Sequence, residues 1–193
     1  AVLSQAQINK LSQYYLRVLK QLQGLPVRTA TAAVYILVGS LPLEAVLHLR
    51  QFAILGTVTR SKNSTLCQLA LRQCALKTVK TSWFAKADSL LCQYELPNVY
   101  ELLEQPLSKA KWKAMCKEKV TKWWHSRLIS DIGEKSSLQM LKPPDELTPH
   151  VCWKSLQNNV KDVRRGTIKA RILCGTYILQ STRAKFNQNE VNN

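Results

Sequence analysis

Wherever apolar residues recur regularly along this 193-residue chain, the step is three or four, and no segment sustains the period-two alternation of a half-buried strand. That spacing predicts an all-α fold, an irregular array of about seven or eight helices with room for two helical subdomains. Ile8, Leu11, Tyr15, Val18 and Leu22 fall on one helical face, with Ser4 as N-cap and Gly24 and Pro26 as the stop. Residues 29–38 are Ala-rich and apolar, the length of a short buried helix. Ser40 is placed to cap the next helix, with Pro42 in its first turn. Another helix starts at Ser64, and a short one follows the Leu96-Pro97-Asn98 break. Trp112, Cys116, Val120 and Trp123, at steps of four, four and three, share one face of the clearest amphipathic element in the second half. A last helix is expected over 160–180. Gly133, Pro143, Pro144 and Pro149 predict a linker over 131–149. The chain then divides into a helical region over 1–130, that linker, a basic helical segment over 150–186 and a frayed tail over 187–193.

Charge narrows the function. Lys and Arg number 28 against 12 Asp and Glu, a formal net charge of +16. Residues 1–87 hold 11 bases and one acid, Glu44, and residues 88–193 hold 17 bases and 11 acids, so both halves are cationic. A surplus this large repels itself in a compact fold unless a polyanion is near, which favours nucleic acid over an acidic protein or an anionic membrane. No apolar run reaches the ~18–20 residues of a membrane span. The N-terminus has neither the layout of a secretory signal nor an initiating Met, which predicts an intracellular fragment or processed chain.

Catalytic patterns are missing. The only adjacent acids, Asp145-Glu146, sit in the Pro-rich stretch and read as a turn cap rather than metal ligands. The six glycines form neither a dinucleotide fingerprint nor a phosphate loop. None of the six cysteines is two to four residues from another, which argues against a zinc site; reduced, buried thiols are the expectation, although an even count permits three disulfides. His48, His125 and His150 suggest no acid–base pair, and Cys152 beside His150 in sequence is not a nucleophile–base geometry.

The basic segments carry more. Between Ser108 and Arg127 lie Lys109, Lys111, Lys113, Lys117, Lys119, Lys122 and Arg127 against one acid, Glu118, with Trp112, Trp123 and Trp124 interleaved. Cations neutralise phosphates and indoles stack on exposed bases. Trp112 and Trp123 belong to the apolar stripe and read as core. Trp124, turned about 100° from Trp123, is the indole placed to stack. Farther on, Lys161, Arg164, Arg165, Lys169 and Arg171 share a broad face that also holds Ile168 and Ile172, so either the helix breaks near Gly166 or long cations flank an apolar seam.

Three blocks resemble one family in the right order. LPVRTATAAVYILVGSLPLEAVLHLRQFAILG is similar to the segment after the polymerase palm of non-LTR (LINE-like) retrotransposon reverse transcriptases, through Leu25-Pro26, Thr29, Tyr35, Gly39 and Leu41-Pro42. YELPNVYELLEQPLSKAKWK resembles the downstream helical region, through Leu96-Pro97, Leu102-Leu103, Pro106 and Trp112-Lys113. IKARILCGTYILQSTRAKF is similar to the stretch before the zinc knuckle, through Lys169-Ala170-Arg171, Gly175-Thr176-Tyr177, Leu179 and Phe186. The family's aromatic-x-Asp-Asp turn is absent, as is a Cys/His knuckle after Phe186. The resemblance implies the thumb, over 1–130, and the C-terminal linker region of a reverse transcriptase that copies element RNA at a nicked genomic target. Fingers, palm and magnesium would then belong to other parts, no cofactor to this chain, and the place of action would be the nucleus.

The two lines of reasoning predict sequence-tolerant binding of RNA, RNA–DNA or DNA backbones through Lys111, Lys113, Lys117, Lys119, Lys122, Arg127, Arg164, Arg165 and Lys169, with Trp124 stacking. The competing expectation is a non-catalytic scaffold whose apolar helix faces dock on a polymerase core or another protein.

Overall fold

A computed structural model describes residues 4–61, 64–75, 82–157 and 159–177. Among them are nine α-helices and no strand: α1 (Gln5–Leu22), α2 (Thr31–Val38), α3 (Leu43–Thr59), α4 (Ser64–Ala75), α5 (Trp83–Gln93), α6 (Val99–Glu104), α7 (Lys109–Gly133), α8 (Val151–Lys154) and α9 (Val160–Leu173), with one 3₁₀ turn at Ser136–Leu138. The all-α expectation stands. Local chemistry explains several helix starts. Ser4 and Gln7 form a reciprocal cap on α1, the Ser4 N–H donating to Gln7 Oε1 (2.8 Å) and the Gln7 N–H to Ser4 Oγ (3.3 Å). Asn98 and Glu101 do the same for α6, at 2.9 and 3.2 Å. Ser40 does not cap α3, whose N-cap is Pro42; the Ser40 N–H instead closes the preceding helix on Tyr35 O (3.2 Å).

The chain folds as two units, one of Ala1–Ser12 with Leu41–Arg127 and one of Gln13–Ser40 with Leu128–Asn193. The chain passes between them three times, inside α1, between α2 and α3, and inside α7. In the first unit Phe52 and Leu55 of α3, Leu91 of α5, Tyr94, Leu102 of α6, and Trp112 and Val120 of α7 form a shared core. Each fully buried side chain of this size contributes about 1.5–3 kcal/mol.

In the second unit α2 is buried on every side: Ala32 to Leu37 are all inaccessible, as its lack of any charged residue predicts. Around it pack Leu19, Leu25, Leu128, Ile132, Leu138, Leu141, Cys152, Ala170 and Cys174. The stretch expected to be a linker over 131–149 therefore contributes core: Leu138 and Leu141 are 1% and 3% exposed, and just beyond it the His150 N–H donates to Leu37 O (3.0 Å). Helix α7 runs into it as far as Gly133 and the 3₁₀ turn follows, and beyond that its prolines keep the chain irregular without keeping it from burial. The face expected for α1 also shifts: Leu19 is buried, while Leu11 and Leu22 are exposed. Helix α9 runs through Gly166 without a break, with Val163 and Ile168 exposed among its cations. Of the readings above, Leu179, Phe186 and the tail over 187–193 lie outside the described residues, as does the end of the helix expected over 160–180.

Candidate nucleic-acid interface

Helix α7 organises the site in the first unit. Its buried apolar residues there are Trp112, Cys116, Val120 and Trp124, each four on from the last. A step of four drifts only about 40° round a helix, so these make a slowly winding stripe. This corrects the expected stripe through Trp123 and the stacking role given to Trp124. The Trp124 indole is buried, and its N–H donates to the Tyr94 hydroxyl at 2.9 Å. Trp123 is the half-exposed one, edge-on to Tyr94 (centroids 5.4 Å) and to Trp124 (5.0 Å). Two adjacent indoles compete for the stripe, and the one that reaches a buried hydroxyl takes it.

Two grooves flank the stripe. One, a cavity of about 250 Å³, lies between α3 and α7 and is lined by Leu49, Ala53 and Thr57 from α3, by Arg60 just after it, and by Lys109, Trp112, Lys113, Cys116 and Lys117 from α7. The other, about 580 Å³, is lined by Gln93, Tyr94 and Glu95 and by Lys119, Lys122, Trp123, Ser126 and Arg127. The predicted cations of α7 thus separate into Lys113 with Lys117, and Lys119 with Lys122 and Arg127. Lys111 is exposed outside both. Arg60 and Lys109 were not among the predicted contacts, although each continues a row of four-residue or three-residue steps. The Arg127 guanidinium lies 5.3 Å from the Trp123 ring centroid and 5.4 Å from that of Trp124, within cation–π range.

Carboxylates offset little of this charge. Among the described residues two ion pairs form, Lys119–Glu95 (3.2 Å) and Arg165–Asp162 (3.7 Å), both largely exposed and so each worth under about 1 kcal/mol. Lys109, Lys111, Lys113, Lys117 and Lys122 have no carboxylate partner among those residues. In the second unit Arg164, Arg165 and Lys169 are exposed on α9. Lys169 alone of the three lines a cavity of about 300 Å³, with His150, Cys152 and Ser155.

Beneath the stripe, Tyr94 is the hub of a buried polar network. Its hydroxyl accepts from Trp124 Nε1 and lies 2.7 Å from His48 Nδ1. The Tyr94 proton is then assigned to His48 Nδ1, which requires a neutral imidazole carrying its own proton on Nε2. Burial agrees, pushing His48 down to about 4 and Tyr94 up to about 12. An unfolded chain takes a proton on His48 near pH 6.5, well before the folded one does. Stability is therefore complete above about pH 6.5 and falls through the interval down to about pH 4, by about 3 kcal/mol from this residue. Urea unfolding at a series of pH values checks this, and His48→Gln, which keeps an acceptor for Tyr94, should flatten most of the acid limb.

Burial also pushes the thiols of Cys116, Cys152 and Cys174 up, to about 12, 11 and 12, leaving them poor nucleophiles. Cys67, Cys92, Cys116, Cys152 and Cys174 are all free. Among the described residues no three His, Cys, Asp or Glu side chains are placed to hold a metal ion, and no single helix is long and apolar enough to cross a membrane. Comparison with family models, with curated proteins and with solved structures finds no match for this chain.

Proposed function

We propose that this chain binds nucleic-acid backbone without reading sequence, holding RNA and RNA–DNA or DNA duplex as the thumb and linker part of a non-LTR-type reverse transcriptase whose polymerase chemistry resides elsewhere. One observation carries the reading: six lysines and an arginine stand along α7, and Lys119 alone of them meets a carboxylate among the described residues. Exposed, unneutralised cations on a rigid helix are what phosphate recognition without base readout needs, because each phosphate neutralised releases a condensed counterion. The partly exposed Trp123 beside Arg127 supplies an aromatic surface next to that charge.

Titration of the full chain against an RNA–DNA duplex at rising salt tests this. Log affinity should fall linearly with log salt, and combined Lys113→Glu, Lys117→Glu and Lys122→Glu should make the slope shallower by about 3, one for each phosphate no longer neutralised. Binding that ignores salt, or ignores the triple reversal in a folded protein, overturns it.

A second reading has its own support. Ile54 of α3 is 56% exposed, which suits a scaffold docking on a polymerase core or another protein. It predicts that the triple reversal leaves nucleic-acid binding unchanged, so the same variant separates the two.

A further inference from the structure

The α3–α7 groove has two unlike walls. On α7, Lys109, Lys113 and Lys117 repeat every four residues, a cationic row about 12 Å long. On α3, Leu49, Ala53 and Thr57 repeat at the same step as a small, largely apolar wall, with Arg60 just past the helix at its end. Trp112 and Cys116 close the floor, and no acidic residue lines the cavity. The Trp112 N–H is already committed to Phe52 O (2.7 Å), so the indole in the floor has no free donor to offer a ligand. Such a groove suits a polyanion with apolar faces along one edge.

We infer that this groove takes a short unpaired stretch of nucleic acid, its phosphates along the lysine row and its bases turned towards Leu49, Ala53 and Thr57. The inference rests on the nucleic-acid reading above and refines it to one site and one strand state. A duplex stacks its base faces away and shows a stiff outer surface of phosphates, which would leave the α3 wall without a partner. An unpaired strand can present phosphates to one side and bases to the other. Twelve ångströms is about the rise of three or four stacked nucleotides. At about 250 Å³ the cavity falls just under the ~300–1,000 Å³ of a drug-sized pocket, which fits one or two planar bases rather than a larger ligand.

The test compares a single-stranded uridine dodecamer with a blunt RNA–DNA duplex by fluorescence anisotropy on the full chain. Ala53→Trp fills the groove without altering charge, at a position already exposed. Thr57→Phe, also at an exposed position, fills the same wall without a charge and serves where the first variant folds poorly. Each should weaken dodecamer binding by about tenfold or more while duplex binding stays within about twofold. Dodecamer affinity that is unchanged, or that falls in parallel with duplex affinity, overturns the inference and leaves the broader reading intact. A wild-type chain that binds neither probe overturns both. A wild-type dimer that Ala53→Trp dissolves, with dodecamer binding untouched, overturns it in favour of a second copy in the groove. Poly-glutamate that binds as tightly and loses as much to Ala53→Trp overturns it in favour of an acidic protein chain.

Discussion

Gly39→Ala should destabilise the second unit by about 3–5 kcal/mol, the upper range for a single substitution. Gly39 ends α2 in the left-handed region at φ 65°, and its N–H donates to Tyr35 O (2.9 Å), with a longer approach to Ile36 O (3.3 Å). An L side chain there costs about 1–2 kcal/mol from backbone strain alone. Packing adds the rest. A Cβ on Gly39 would fall within the peptide joining Thr148 to Pro149, and backbone cannot rotate aside as a side chain can. Relief requires the 148–150 segment to move off, which breaks the His150 N–H bond to Leu37 O at the end of the buried helix. Hydrogen exchange should report the damage as faster exchange of the amides of residues 34–38, with a lower urea midpoint for the chain. Gly39→Asn separates the two causes. Asparagine tolerates the left-handed region but still carries a Cβ, so it should regain no more than the ~1–2 kcal/mol of strain and keep the rest of the loss. Full recovery with asparagine would mean that strain, not the approach of Thr148, fixes the glycine.

The same corner shows where sequence reasoning reaches and where it stops. Helix α2 is legible because no charged residue lies between Arg28 and Glu44, and a helix that is apolar all round has only one place to go. The start of α6 is legible because Asn98 and Glu101 carry a local signal that needs no tertiary partner. By contrast, Leu138 and Leu141 sit among turn residues with no period to mark them, and burial there depends on α2, some hundred residues earlier. The choice between Trp123 and Trp124 is of the same kind. Both steps, three or four from Val120, keep a residue near the stripe, and the hydroxyl of Tyr94 decides between them. The candidate grooves were half visible. The four-residue rows Lys109–Lys113–Lys117 and Leu49–Ala53–Thr57 are written in the sequence, but nothing local says that α3 and α7 stand side by side.

Gly56→Ala tests that pairing, and the expected sign is opposite to what helix propensity gives. Within α3, alanine for glycine at an exposed interior position would stabilise by about 0.5–1 kcal/mol. Gly56 is instead buried, and a Cβ there would land on the Trp112 indole at Cδ1 and Nε1 and within 2.9 Å of an Arg60 guanidinium nitrogen. Trp112 has nowhere to retreat: it is 2% exposed, edge-on to Phe52 (centroids 6.3 Å), and its N–H donates to Phe52 O. Displacing it breaks that bond in a dry interior, costing about 1–3 kcal/mol for the orphaned donor, and opens a void besides. The net loss should be about 3 kcal/mol or more, read as a fall in the urea midpoint of the first unit. A double-mutant cycle identifies the cause. Trp112→Ala removes both the donor and the ring atoms that meet the new Cβ, so the two substitutions together should cost at least about 1–2 kcal/mol less than their sum. Full additivity, or an alanine that stabilises, would mean that Trp112 does not pack against Gly56, and the groove proposed for an unpaired strand would then lose its floor.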